Sequence, residues 1–284
     1  MGTLQEKTKS DAGGSVIWFD IIFSFLVALF WLKWFLKKDK YEKEPERLVF
    51  LSFLAGMLAI IPCVFLESFL RLRDQDSTVL LKNLFLSFLW VGMVEEFFKY
   101  LAVRLTVYRS KEFNEVMDGM VYMVSAALGF AATENVGYML GFGYAAGFPR
   151  AILSYLAHIS FSAILGFYMG KSRIEGQKNL IWVGFALAIS LHWLYNSFLV
   201  AGTTRSSGGF FLLGLIVWVF GLILTLILVK KAQAVSPFRT AHILPRRLTK
   251  QCPACQKTVP SKALVCHHCG ESIPFDGGEV TLKA

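Results

Sequence analysis

Seven apolar runs, each long enough to cross a lipid bilayer, recur along the chain and dictate what it can fold into. They lie at residues 16–36, 48–66, 80–105, 118–140, 151–170, 180–201 and 210–229. About 20 helical residues span a bilayer core. The core supplies no water to backbone N–H and C=O groups, so a spanning segment must satisfy them itself, as a helix does. The alternating polarity of a barrel strand is missing from these runs. The sequence therefore predicts an all-α fold, a polytopic transmembrane bundle of about seven spans. Composition agrees, with 55% hydrophobic and only 17% charged residues. The first run follows a polar segment, residues 1–15, and lacks a small-x-small cleavage site, so it reads as a retained anchor.

The net charge of +9 does not mark a nucleic-acid surface, because the basic residues sit in loops and the tail rather than on one folded face. Lys37, Lys38, Lys40, Lys43 and Arg47 follow span one, Arg109 and Lys111 follow span three, and Lys171, Arg173 and Lys178 follow span five. The opposite loops carry Arg71, Arg73, Arg150 and Arg205. By the positive-inside bias the N-terminus is expected outside and the C-terminus in the cytoplasm.

Four of the five cysteines form Cys252-Pro-Ala-Cys255 and, ten residues later, Cys266-His-His-Cys269. Two Cys-x-x-Cys turns at this spacing present four thiolates for a closed tetrahedral structural zinc site, as in small zinc ribbons. Two disulfides are the alternative, disfavoured on a reducing cytoplasmic side. So small a domain has little core of its own, and metal binding would supply much of its folding energy. The expected organisation is a polar segment 1–15, a membrane domain 16–232, a basic linker 233–250, a zinc ribbon 251–272 and a tail 273–284. Nothing in the ribbon identifies its cytoplasmic partner.

Ionisable side chains in hydrocarbon cost about 2.5 to 3.5 kcal/mol or more on insertion scales, so each needs a reason to be there. Span three carries Glu95, Glu96 and Lys99, span four Glu134, span five His158, and span six His192 and Asn196. Glu95 and Lys99 share a helix face at i, i+4, and Glu96 points about 100° away. Single residues of this kind often serve as interhelical hydrogen-bonding groups. Two histidines and several acids on four successive spans instead suggest one functional centre.

These residues carry a resemblance. Tyr41-Glu-Lys-Glu-Pro45, Glu95-Glu96-x-x-Lys99, Asp118-Gly-x-x-Tyr122, Gly129-Phe-Ala-Ala-Thr-Glu134-Asn135-x-x-Tyr138, His158 and His192-Trp-Leu-Tyr-Asn196 resemble the PrsW family of intramembrane proteases, over spans one to six. The set is also similar to the wider superfamily of CAAX prenyl endopeptidases and bacteriocin-immunity proteins. There, however, Lys99 stands one residue before the arginine of the Glu-Glu-x-x-x-Arg pattern, and Glu134 stands where Phe-x-x-x-His has histidine. The PrsW resemblance implies cleavage of a membrane-anchored protein, such as an anti-sigma factor, in or near its membrane segment.

Peptide hydrolysis needs a captured water, a base to activate it and donors for the developing oxyanion. One assignment makes Glu95 the base, oriented by Lys99 and supported by Glu96, with Glu134 and His158 handling water and leaving group and His192 with Asn196 facing the oxyanion. A second places a catalytic zinc among Glu134, His158 and His192, again with Glu95 as base. The rivals from other classes are a proton-coupled transporter or channel using the same residues as a relay, and a non-catalytic scaffold presenting the ribbon.

Overall fold

The computed structural model describes residues 2–73, 80–142, 144–204, 206–239, 249–261 and 263–273. Seven α-helices follow one another among them: α1 (Gly2–Leu36), α2 (Glu46–Arg73), α3 (Leu80–Thr106), α4 (Val116–Phe142), α5 (Tyr144–Ile174), α6 (Leu180–Thr204) and α7 (Gly208–Val235). Six of these are long and apolar enough to cross a membrane. The remaining one, α3, has the length, but Glu95, Glu96 and Lys99 interrupt its apolar run.

Boundaries moved outward relative to the apolar runs. Residues 2–15 continue α1 rather than forming a separate segment, α5 begins at Tyr144 rather than 151, and α7 runs on through Lys230 and Lys231 to Val235. A helix ends where its backbone hydrogen bonds end, and polar residues beyond the hydrocarbon remain good helix formers. Most of the basic linker, residues 240–248, and the tail beyond Ile273 lie outside the described residues.

The centre of the bundle is α4, packed against α1, α2 and α5, with residues 115–132 buried without interruption. Further contacts pair α5 with α6 and α7, and α3 with α2 and α6. Small residues permit the closest approaches, as dispersion packing rather than hydrophobicity holds helices together in lipid. A Cβ added to Gly166 would lie 2.4 Å from the Gly119 carbonyl oxygen, and one added to Gly129 would lie 2.0 Å from that of Phe53. The outer helices turn large apolar side chains outward, including Phe30 on α1, Phe65 on α2 and Phe220 on α7. Cys63 of α2 is buried and packs beside Val94.

Beyond α7 comes a two-stranded antiparallel sheet, β1 (Thr249–Gln251) with β2 (Thr258–Pro260), in the register Lys250 to Val259. Among the described residues its core is Cys252, Val259, Cys266 and Ile273, with Cys255 and Ala263 packed against it, which is compatible with a small zinc ribbon.

Candidate metal-binding active site

The 3.6-residue turn of α3 brings Glu95, Glu96 and Lys99 to neighbouring positions, and the Lys99 side chain is completely buried. Its ammonium has three N–H donors and meets three acceptors: Glu95 Oε2 at 3.1 Å, Glu96 Oε1 at 2.9 Å and His158 Nδ1 at 2.9 Å. Phe130 of α4 lies beneath it, 4.4 Å from the ammonium to the ring centroid. The lysine thus holds both carboxylates of its own helix and reaches across to α5.

Each histidine is oriented by a carboxylate. His192 Nδ1 lies 3.1 Å from Glu96 Oε1, and His158 Nε2 lies 3.0 Å from Glu134 Oε2. A carboxylate can only accept, so these ring nitrogens are the N–H donors. The opposite nitrogens are then left with lone pairs, and both turn toward one atom, Glu95 Oε2, with His192 Nε2 at 3.7 Å and His158 Nδ1 at 4.0 Å. The imidazoles stand nearly perpendicular, 5.3 Å apart between centroids.

Glu95, His158 and His192 are all buried, and one ligand atom from each lies within 4.8 Å of the others. Two imidazoles and a carboxylate are the donor types of catalytic zinc sites, and carboxylates behind the histidines are the outer partners that such ligands use. Charge points the same way. Three carboxylates and one ammonium leave the neutral-imidazole cluster at −2 in a region of low dielectric. Such a cluster requires protons or a cation to persist there. The donor set therefore fits a divalent metal.

All six ionisable candidates from α3 to α6 meet here, but in a different arrangement from the expected zinc set. Glu95, rather than Glu134, shares the ligand geometry with the histidines, while Glu134 sits behind His158. Helix spacing fixes neighbours on one helix and leaves the order of groups across four helices open, which is why the two carboxylates could exchange places. Asn196 is half-buried, one turn beyond His192, and makes no hydrogen bond to the cluster among the described residues. Ser162, one turn beyond His158 on α5, donates to Glu96 Oε2 at 2.8 Å. The i, i+4 spacing of His158 and Ser162 puts both on one face of α5 and is the sequence signal for that contact.

A second group of metal-ligand side chains is formed by Cys252, Cys255, Cys266 and Cys269, whose sulfurs also lie within 4.8 Å of one another. None of them is in a disulfide. Each Cys-x-x-Cys segment is closed as a turn by a backbone bond, Cys252 N–H to Lys257 O at 2.9 Å and Cys266 N–H to Glu271 O at 2.8 Å. These are the knuckles that direct paired thiolates at one point, so this set also fits a metal ion.

Comparison with known proteins agrees with the geometry. The family model of PrsW family intramembrane metalloproteases matches residues 44–227, which hold the whole helical cluster and leave out the four-cysteine module. Protease PrsW of Geobacillus kaustophilus is 36% identical over 172 residues, covering 60% of this chain and 75% of that protein. Protease PrsW of Bacillus subtilis is 34% identical over 196 residues, 67% of this chain and 87% of the relative. That of Clostridioides difficile is 30% identical over 187 residues, 63% and 77% respectively. No solved structure matches the chain. The chain is an integral membrane protein belonging to the PrsW family of intramembrane proteases.

Proposed function

We propose that this chain cleaves a membrane-anchored protein within or near its membrane segment, using the centre built from Glu95, His158 and His192. The observation that carries this reading is the convergence of His158 Nδ1 and His192 Nε2 on Glu95 Oε2 inside a buried, net-negative cluster. Glu95, His158 and His192 would hold a zinc ion, which when bound acts as a Lewis acid and lowers the pKa of a water molecule toward neutrality.

The remaining roles belong to the protein. Glu96, steadied by Lys99 and Ser162, accepts the Nδ1 proton of His192 and so keeps Nε2 available. Glu134 does the same for His158 through Nε2. As the least buried of the three carboxylates, with its side chain 13% exposed, Glu134 takes the proton of the attacking water and returns it to the leaving amine. When His158 Nδ1 serves as a ligand, Lys99 keeps its two carboxylates and has one N–H to offer the developing oxyanion.

One contact favours a metal-free version. The Lys99 ammonium, 2.9 Å from His158 Nδ1, already supplies positive charge at the heart of the cluster. Glu95 is then the base and passes the proton taken from water through His158 to the leaving amine, and His192 with Asn196 faces the oxyanion. The four-cysteine module takes a structural zinc in both versions, and the loop charges support a cytoplasmic position for it.

The test is cleavage of a tagged single-span protein by the reconstituted full chain. Glu95→Gln, His158→Ala and His192→Ala should each lower the rate by about 100-fold or more, the scale of losing a ligand or an acid–base group. Near wild-type cleavage by all three would defeat the assignment, and ion flux without cleavage would favour a carrier. Metal analysis of the full chain with all four module cysteines changed to serine separates the versions. One zinc per chain supports the metal centre, and none supports the metal-free one.

A further inference from the structure

The four-cysteine module meets the helical bundle at a buried carboxylate. Glu42, in the loop between α1 and α2, is buried at 7% exposure, and its Oε1 faces Lys257 Nζ at 2.7 Å and His268 Nδ1 at 2.9 Å. Phe238, just after α7 and also buried, stacks on the His268 ring with centroids 4.6 Å apart and planes 25° from parallel. The receiving loop is itself fixed at both ends. Lys43 Nζ donates to Leu36 O at 3.2 Å, and Gln233 Nε2 of α7 donates to Lys38 O at 2.5 Å.

Both contacting residues of the module ride on its knuckles. Lys257 follows Cys255 by two positions and supplies the carbonyl that closes the first turn, while His268 sits inside the second Cys-x-x-Cys. Their side chains reach a common oxygen only while both knuckles hold their shape. With so small a core, that shape depends on an ion joining the four sulfurs.

Glu42 needs these partners because its surroundings are acidic. Asp39, Glu44 and Glu115 are all buried at the same end of the bundle, and both Asp39 oxygens, Glu42 Oε2 and Glu115 Oε2 have no hydrogen-bond partner among the described residues. Lys257 alone would count for little, being 45% exposed, as surface ion pairs do. Stripping both Lys257 and His268 from a buried carboxylate is different, for it leaves an uncompensated charge.

We propose that the four-cysteine module is a metal-dependent latch: loaded with its ion, it docks on Glu42 and covers the acidic end of the membrane domain, and emptied, it lets go. The latch rests on the reading of the four cysteines as a metal site. It gives the module a partner within its own chain, the loop of residues 37–45.

Hydrogen exchange on the full chain in lipid nanodiscs tests the latch, with zinc content measured in parallel and compared with the variant carrying four serines. In the zinc-loaded chain, amides of residues 37–45 should exchange slowly, and chelation should speed them about five-fold or more. Glu42→Ala should give the same acceleration, and Lys257→Ala a smaller one, with module zinc retained and the knuckle amides of Cys252 and Cys266 still slow. Glu42→Lys alone should also release the loop, and combining it with Lys257→Glu should restore its protection. Unchanged loop exchange in both alanine variants, or after chelation that empties the module, would overturn the latch. Absence of module zinc from the purified chain would overturn both the metal reading and the latch, and the stoichiometry reports that outcome separately.

Discussion

Glu95 and Glu96 are neighbours in sequence and occupy different positions in the chemistry, because one residue of helix turns a side chain by about 100°. Glu95 Oε2 faces the unprotonated nitrogens of two histidines, whereas Glu96 accepts from Lys99, Ser162 and the protonated nitrogen of His192. The pairing of Glu95 with Lys99 was legible from spacing alone. The additional grip of Lys99 on Glu96, and the use of Glu96 by α5 and α6, depend on side-chain directions between helices, which spacing does not encode. Ser162 tests the orienting role of Glu96 in its gentlest form. Ser162→Ala removes one hydrogen bond to a charged acceptor, and kcat for the tagged substrate should fall about ten-fold, equivalent to about 1.4 kcal/mol, with KM nearly unchanged. Ser162→Thr, which keeps the hydroxyl, should recover most of the loss. A fall in KM and kcat together, with no recovery by threonine, would instead mark a packing defect.

At the scale of elements, α4 organises the molecule, and hydropathy does not single it out. Apolar periodicity separates polar from apolar faces, but in a bilayer both the lipid-facing and the buried faces are apolar, so hydropathy alone does not tell a central helix from a peripheral one. The signal lies in the small residues: Gly119 and Gly129 of α4 meet Gly166 of α5 and Phe53 of α2 at distances that leave no room for a side chain. The N-terminal end of α4 is fixed by Asp118, whose Oδ2 accepts from the backbone N–H groups of Asn114 and Glu115 at 2.6 and 2.7 Å.

Just before that helix, burial pushes the Glu115 carboxyl up to about 8 from its ordinary 4.5, against the lowering pull of a hydrogen bond with Ser236. The folded chain therefore binds this proton more tightly than the unfolded chain does. The stability it contributes is fully present below about pH 4.5 and is lost as pH rises through about 8. Glu44 and Asp39, raised by burial to about 7 and about 6, act in the same direction. Thermal melts of the full chain between pH 5 and 8 should show falling stability, and Glu115→Gln should flatten the upper part of that fall. A melting temperature that rises across this window, or a slope that the substitution leaves untouched, would contradict the burial of Glu115 as an acid.

On the scale of the whole molecule, the spans, the cysteine knuckles and the identity of the polar cluster were all readable, because each rests on residue type or on spacing within one segment. What remained hidden was how the segments meet: the exchange of Glu95 for Glu134 beside the histidines, the bond from Ser162 to Glu96, and the seating of Lys257 and His268 on Glu42. All three are relations between distant parts of the chain, set by packing. The centre itself is such a relation, joining α3, α4, α5 and α6. Its unity is open to a double-mutant cycle on cleavage of the tagged single-span protein, comparing Glu95→Gln, His192→Ala and the two combined. Groups that act as one unit are strongly non-additive, so the double variant should be about as slow as either single one. Losses that multiply, with the combined variant slower by the product of the two single effects, would mean that Glu95 and His192 serve separate sites.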